Sequence, residues 1–245
     1  MKISAAQNRL LVVVQPMAVE KRLELEKLKR QGGRGLRRPD FIWHYLLQSF
    51  ATMGKASGWE GLIGSQDNYQ RVTYEALNAL TTKRRERQVY EVCRAAKIRM
   101  PDTKARYILA CFDRVKSMGG PERAKELLLA EPGRDSKIEF LQDFRGIGPK
   151  YSRNIMMDVY HKEFRQSIAI DARIKSISKA LGISFSDSEY IRHEEFYLTV
   201  AQLAGINGWE LDRLLFRFGE VVKAALSKPP KILQKYSGDF SRERK

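Results

Sequence analysis

Residues 141–171 read LQDFRGIGPKYSRNIMMDVYHKEFRQSIAID, and the fold turns on how this stretch is interpreted. Ile138, Leu141 and Phe144 recur at helical spacing, and Ser136 stands three residues before Glu139, the spacing of a capping box, so a helix is expected to open at Ser136. Arg145-Gly146-Ile147-Gly148-Pro149 must then be a tight turn. Two glycines can take the positive φ closed to most residues, and Pro149 is preset for the first position of a helix. A second helix is predicted from about Lys150, burying Tyr151, Ile155 and Val159. A helix, a glycine hairpin and another helix leave unpaired backbone N–H groups at the positive end of a helix dipole, which suits a phosphate. Asp171 reads as the N-cap of the next helix.

Outward from this stretch the chain is helical almost throughout. Residues 19–30, VEKRLELEKLKR, set Leu23, Leu25 and Leu28 among charges, and Asp40 starts a helix with Phe41, Tyr45, Leu46 and Phe50 on one face. Gln31 to Pro39 reads as a flexible basic loop, and Gly54 to Gly64 as a loop containing Trp59. Two helices are expected between Thr73 and about Ala96, one over Thr103–Ser117 and one over Pro121–Ala130. Helices at 172–181, 188–204 and 209–226 follow, the last with Leu211, Leu214, Leu215 and Phe218 facing inward. Alternating strand patterns are nearly absent, so the fold class is all-α. The basic tail after Pro229-Pro230, KILQKYSGDFSRERK, is expected to be loosely ordered.

Composition narrows the partners. Lys and Arg number 45 against 29 Asp and Glu, a net charge of +16, and such a surface seeks a polyanion with strongly salt-dependent affinity. Charge alone does not separate DNA from RNA. Hydrophobic residues at 43% suffice for a packed core, and 245 residues fit one large or two intimately packed domains. Cys93, Cys111, His44, His161 and His193 show no metal-ligand spacing, so no metal and no cofactor are expected, and the setting is reduced and intracellular. The apolar run Leu10–Val14 is too short for a bilayer. The expectation is a soluble cytoplasmic monomer, nucleoid-associated in a bacterium or archaeon.

GIGPK (residues 146–150) followed 21 positions after Lys150 by the aspartate of IAIDARIKSISKALG resembles the helix-hairpin-helix DNA glycosylases, the superfamily of endonuclease III and 8-oxoguanine DNA glycosylase. Gly146, Gly148, Lys150 and Asp171 fall on matching positions of that pattern, and the strong match spans about residues 140–182. Asp40 to Met53 is a weaker echo of the family's early core helix. Two features depart from the pattern. Phe144-Arg145 replaces the usual Leu-Pro, and two cysteines cannot hold the four-cysteine iron–sulfur cluster of endonuclease III, which points to the cluster-free branches.

The resemblance implies a central six-helix bundle over residues 40–162, with its hairpin motif at about 136–160. A second helical lobe is built from 1–39 and 163–228, with a DNA-binding cleft between the two and a flexible tail at 229–245. It implies Lys150 as nucleophile and Asp171 as its carboxylate partner on double-stranded DNA carrying a damaged base, flipped out for excision. Arg145, Gly146, Ile147, Gly148, Tyr151 and Arg173 are candidates for phosphate contacts. Trp43, Trp59, Trp209, Tyr45 and Phe218 are the aromatics available to stack on a flipped base, and Gln48 or Phe50 is a candidate to fill the gap in the duplex. The expected activity is a bifunctional glycosylase and AP lyase on oxidised bases, with 8-oxoguanine ahead of oxidised pyrimidines. The alternatives are a monofunctional glycosylase acting on an alkylated or mismatched base, and a non-catalytic helix-hairpin-helix module that only binds DNA.

Overall fold

The helical periodicity is realised in full: a computed structural model, which describes residues 3–54 and 56–227, contains fourteen α-helices and no strand among those residues. The tail beyond Pro230 lies outside the described residues. Helices α1 (Ala5–Glu20) and α2 (Arg22–Gly32) lead into α3 (Phe41–Thr52), which is apolar on nearly every side and buried along most of its length. Three short helices follow, α4 (Ala56–Leu62), α5 (Gln66–Arg71) and α6 (Tyr74–Asn78). The long pair α7 (Thr82–Ala95) and α8 (Pro101–Ser117) then packs side by side, and α3 lies against α4, α8 and α9 (Pro121–Ala130). Helices α10 (Gly133–Gln142) and α11 (Pro149–Asp158) form the hairpin. The chain closes with α12 (Ala172–Ala180), α13 (Tyr190–Leu203) and α14 (Gly208–Leu226), which pack together and against α1.

Buried side chains gather in two hydrophobic clusters. The larger surrounds α3, where Trp43 meets Phe112 edge to face with ring centroids 6.0 Å apart and donates Nε1–H to the carbonyl of Val72 at 2.8 Å. The smaller joins Leu10 and Val14 of α1 to Ile177, Val200 and Leu215. Met17 and Ile206 touch both.

Three expectations are corrected. The first hairpin helix opens at Gly133 rather than Ser136, and no capping box forms there. Gly133 takes φ +72°, which lets the chain turn straight into a helix after extended Pro132, and Asp135 in the first turn suits the dipole. Gln31 to Pro39 is not a flexible loop: α2 runs through Gly32 and a 3₁₀ turn occupies Gly35–Arg37. A methyl group at Gly35 would lie 2.6 Å from Val159, so this glycine serves close packing. Likewise Gly54 to Gly64 contains helix α4, because Gly61 lets it press against the carbonyl of Ala96.

The hairpin glycines also divide their tasks. Gly146 takes φ +90° beneath Tyr107, whose ring a methyl at Gly146 would approach to 2.5 Å. Gly148, expected to share that conformation, has φ −102° and open space where its side chain would project. Gly146→Ala is therefore expected to destabilise the fold by about 1–3 kcal/mol. Gly148→Thr, with an N-cap preference like that of glycine, should stay within about 0.5 kcal/mol of wild type while weakening duplex binding. Urea midpoints and a DNA titration on each variant check both.

Candidate active site

Pro149 begins α11 and its preset φ brings Lys150 into the first helical turn. The backbone N–H groups of Gly146, Gly148 and Lys150 find no acceptor among the described residues, so the hairpin presents donors to an incoming anion at the positive end of α11. Arg145 is exposed beside them and Ile147 is buried as the hairpin's anchor. The Lys150 side chain turns away from this outer surface into a cleft of about 1250 Å³, whose walls include α3, α11, α12 and α14. Ligand pockets usually measure about 300–1000 Å³, so there is room here for a nucleotide with part of its backbone.

Lys150 is half-buried, with its amine 3.7 Å from the centroid of the Tyr151 ring. Burial pushes this amine below the usual lysine range, with help from Arg213, while the carboxylates of Asp171, Asp158 and Asp212 oppose the shift. Asp171 faces the same cleft from the start of α12. Its Oδ1 accepts the N–H groups of Arg173 and Ile174, both at 2.9 Å, as an N-cap does. Its Oδ2 lies 3.6 Å from the Arg173 guanidinium.

Sequence reasoning missed much of the remaining wall. Asp158, at the far end of α11, accepts from Gln48 at 2.8 Å, Asn154 at 3.3 Å and Arg213 at 3.0 Å. Burial raises its carboxyl above the ordinary range, and Arg213 and Lys150 act against that. Asp212 on α14 accepts the Ala169 N–H at 2.9 Å, and burial pushes its carboxyl up to about 6. One turn on, Phe216 is 53% exposed, with the Arg173 guanidinium 4.0 Å from its ring centroid. The spacing of Asp212 and Phe216, four residues on one helix, was the available signal; an acid beside Leu211 and Leu215 on an apolar face should have stood out.

The candidate pocket residues separate. Gln48, Tyr45 and Trp59 line the cleft, and Trp59 is 41% exposed. Trp209 borders it but is 3% exposed, its Nε1–H given to the carbonyl of Met157 at 2.7 Å, so it is a packing wall. Trp43 and Phe50 do not reach the cleft, because both rings belong to the core around α3, whose cleft-facing side carries Tyr45, Gln48, Ser49 and Thr52 instead. Phe218 is also directed elsewhere: α14 kinks there, at φ −119° and ψ 20°, and the ring packs against the larger cluster beneath the Lys21 amine.

The fold is shared with solved structures of known proteins. The 8-oxoguanine DNA glycosylase of Thermotoga maritima superposes with a TM-score of 0.65 at 17% identity, over 86% of this chain and 96% of that one. The 8-oxoguanine DNA glycosylase of Methanocaldococcus jannaschii gives 0.63 at 14% identity, over 86% and 94%. An 8-oxoguanine glycosylase/lyase of the same organism, bound to a 15mer DNA containing 8-oxoguanine, gives 0.62 at 14% identity, over 84% and 98%. The chain thus has the all-helical fold of the helix-hairpin-helix glycosylases. No protein-family model matches the chain and no curated protein matches it. No helix among the described residues is long and apolar enough to cross a membrane.

Asp212 lends itself to a thermodynamic check. A carboxyl whose folded-state pKa lies above its unfolded value holds its proton more tightly in the native protein, so stability falls as pH rises from 3.8 through about 6. Asp212→Asn keeps an acceptor for Ala169 and removes that penalty. It is expected to stabilise the protein above pH 6 by about 2–3 kcal/mol and to give no gain below pH 3.8, read from urea midpoints across the pH range.

Proposed function

We propose that the protein is a base-excision-repair DNA glycosylase with AP lyase activity. The observation that supports this most is the desolvated amine of Lys150 facing the capping carboxylate of Asp171 across a cleft beside an anion-receptive hairpin. In this reading, donors from Gly146 to Lys150 hold a phosphate of the damaged strand, with Arg145, Tyr151 and Arg173 around it. The target nucleotide swings into the cleft. The neutral amine of Lys150 attacks C1′, the C1′–base bond breaks, and the electron pair leaves with the base, which takes up a proton. Ring opening gives an iminium between lysine and sugar. Loss of a C2′ proton then expels the 3′ phosphate, and water releases the lysine. Asp171 stabilises the positive charge developing on the sugar and accepts the proton that Lys150 sheds.

An oxidised purine is the favoured substrate. 8-Oxoguanine differs from guanine in having a hydrogen on N7, and the Asp212 carboxylate is an acceptor on the cleft wall at neutral pH. The Phe216 ring offers a face for stacking once Arg173 swings off it. The likeness to glycosylases of the same fold supports DNA as the partner. We further propose that the protein acts as a cytoplasmic or nucleoid-associated monomer.

The test is a panel of duplexes carrying 8-oxoguanine, thymine glycol, uracil, 3-methyladenine or an abasic site, with borohydride trapping. Wild type should release 8-oxoguanine and give a covalent adduct that Lys150→Ala abolishes. Asp171→Asn should bind the duplex but excise at least about 10²-fold more slowly. Base release without an adduct would assign a monofunctional glycosylase; binding with no release from any duplex would leave a non-catalytic module.

A further inference from the structure

The segment from Ser167 to Ile170, which delivers Asp171 to the cleft, is neither helix nor strand, so the usual backbone partners for its N–H groups are missing. Side chains replace them one by one. Ile168 N–H donates to Glu194 Oε1 at 3.0 Å, Ala169 N–H to Asp212 at 2.9 Å, and Ile170 N–H to the Tyr190 hydroxyl at 2.9 Å. The same hydroxyl donates back to the Ile168 carbonyl at 3.1 Å.

Glu194 is also the partner of a residue on the hairpin. Its carboxylate, 1% exposed, receives Arg153 through Nε at 3.0 Å and Nη2 at 2.9 Å, with Arg134 Nη1 at 3.4 Å. Arg153 lies three residues after Lys150, is 2% exposed, and turns its Nη1 to the carbonyl of Pro149 at 3.0 Å, at the very turn that positions Lys150. Its guanidinium stacks 4.4 Å from the Tyr190 ring centroid. None of these three side chains lines the cleft.

We infer that Arg153, Glu194 and Tyr190 form a positioning clamp, which fixes the first turn of α11 relative to the segment before Asp171 and so sets Lys150 against Asp171. An ion pair this buried is weak evidence for stability in itself, since an apolar replacement is often as stable. Its directional bonds to two backbone segments, each leading into one of the two reacting groups, give it a different task. A displacement of about 1 Å at a reacting pair costs roughly 10²-fold in rate.

This inference rests on the glycosylase reading, and the experiment separates the two. Tyr190→Phe removes one hydroxyl and keeps the ring, and Glu194→Gln keeps the shape while removing the charge. In each folded variant, affinity for an abasic-site duplex should change less than about 3-fold while single-turnover base release falls about 10–100-fold. Acetic anhydride labelling of Lys150, followed by mass spectrometry across pH without DNA, should shift its midpoint upward as water reaches the loosened amine past Asp171, Asp158, Asp212 and Arg213. An unchanged Lys150 midpoint in folded Tyr190→Phe protein overturns the clamp, even if excision is slower. If wild type excises nothing, the glycosylase reading falls, and the labelling profile still decides the clamp.

Discussion

The proton on Lys150 is the constraint on which the rest of the structure depends. An amine can attack carbon only when neutral, and the cleft sets opposed forces on it. Burial and Arg213 favour loss of the proton; Asp171, Asp158 and Asp212 favour its retention. On the glycosylase reading DNA adds to the second side, because phosphates bring negative potential to the mouth of the cleft, and to the first, because a bound nucleotide expels water. With three carboxylates already nearby, desolvation is the force that must prevail. Asp158 is engaged by Arg213, Gln48 and Asn154, whose donors offset part of the negative charge that Lys150 experiences.

Geometry imposes the second demand. Lys150 and Asp171 stand at the N-termini of two different helices, joined by a short 3₁₀ turn at Lys162–Phe164 and a run without regular secondary structure. Helix termini are good places for charged side chains because the backbone supplies a field and free donors, yet a terminus is also where a helix frays. The fold counters this from the cleft wall and from behind it. Trp209 on the wall ties α14 to the end of α11, and Glu194, outside the cleft, ties α13 both to α11 and to the run before Asp171. Lys150 and Asp171 are therefore supported by bonds that neither of them makes.

Much of this was legible in the sequence, and the misses have a common physical origin. Helical periodicity, Pro149 at a helix start and Asp171 as an N-cap are local signals, and the structure holds each of them. The glycines of residues 31–39 and 54–64 read as loop because glycine favours loops when nothing approaches it; at Gly35 and Gly61 a neighbouring element does, which only the assembled fold can show. The α3 aromatics misled in a similar way. Phe41, Tyr45, Leu46 and Phe50 give one apolar face by spacing, but Trp43 and Leu47 are buried too, so the helix has no free aromatic side to offer a base. Gln48 and Tyr45 reach the cleft at the margin of that helix. Asp158 is distant in sequence from Asp212 and Arg213, and the three become a set only where α11 meets α14.

Several groups that break a local rule surround the hairpin and the cleft beside it. Asp212 sits on the apolar side of α14, three hairpin N–H groups have no acceptor among the described residues, Phe216 leaves an aromatic face exposed, and Lys150 is half-buried beside Arg213. Elsewhere several buried polar groups are compensated: Lys137 folds back onto the carbonyls that end α9 and begin α10, and His193 shares its proton network with Ser178 and Tyr197, while Arg114 Nε and Glu163 Oε2 stay without a hydrogen-bond partner among the described residues. On the proposed reading each of these groups has a counterpart in the substrate: an anion for the N–H groups, a ring for Phe216, a donor for Asp212 and an electrophile for Lys150. A flipped nucleotide with its 5′ and 3′ phosphates presents all four together, whereas a free anion, a free base or an intact duplex presents only some of them.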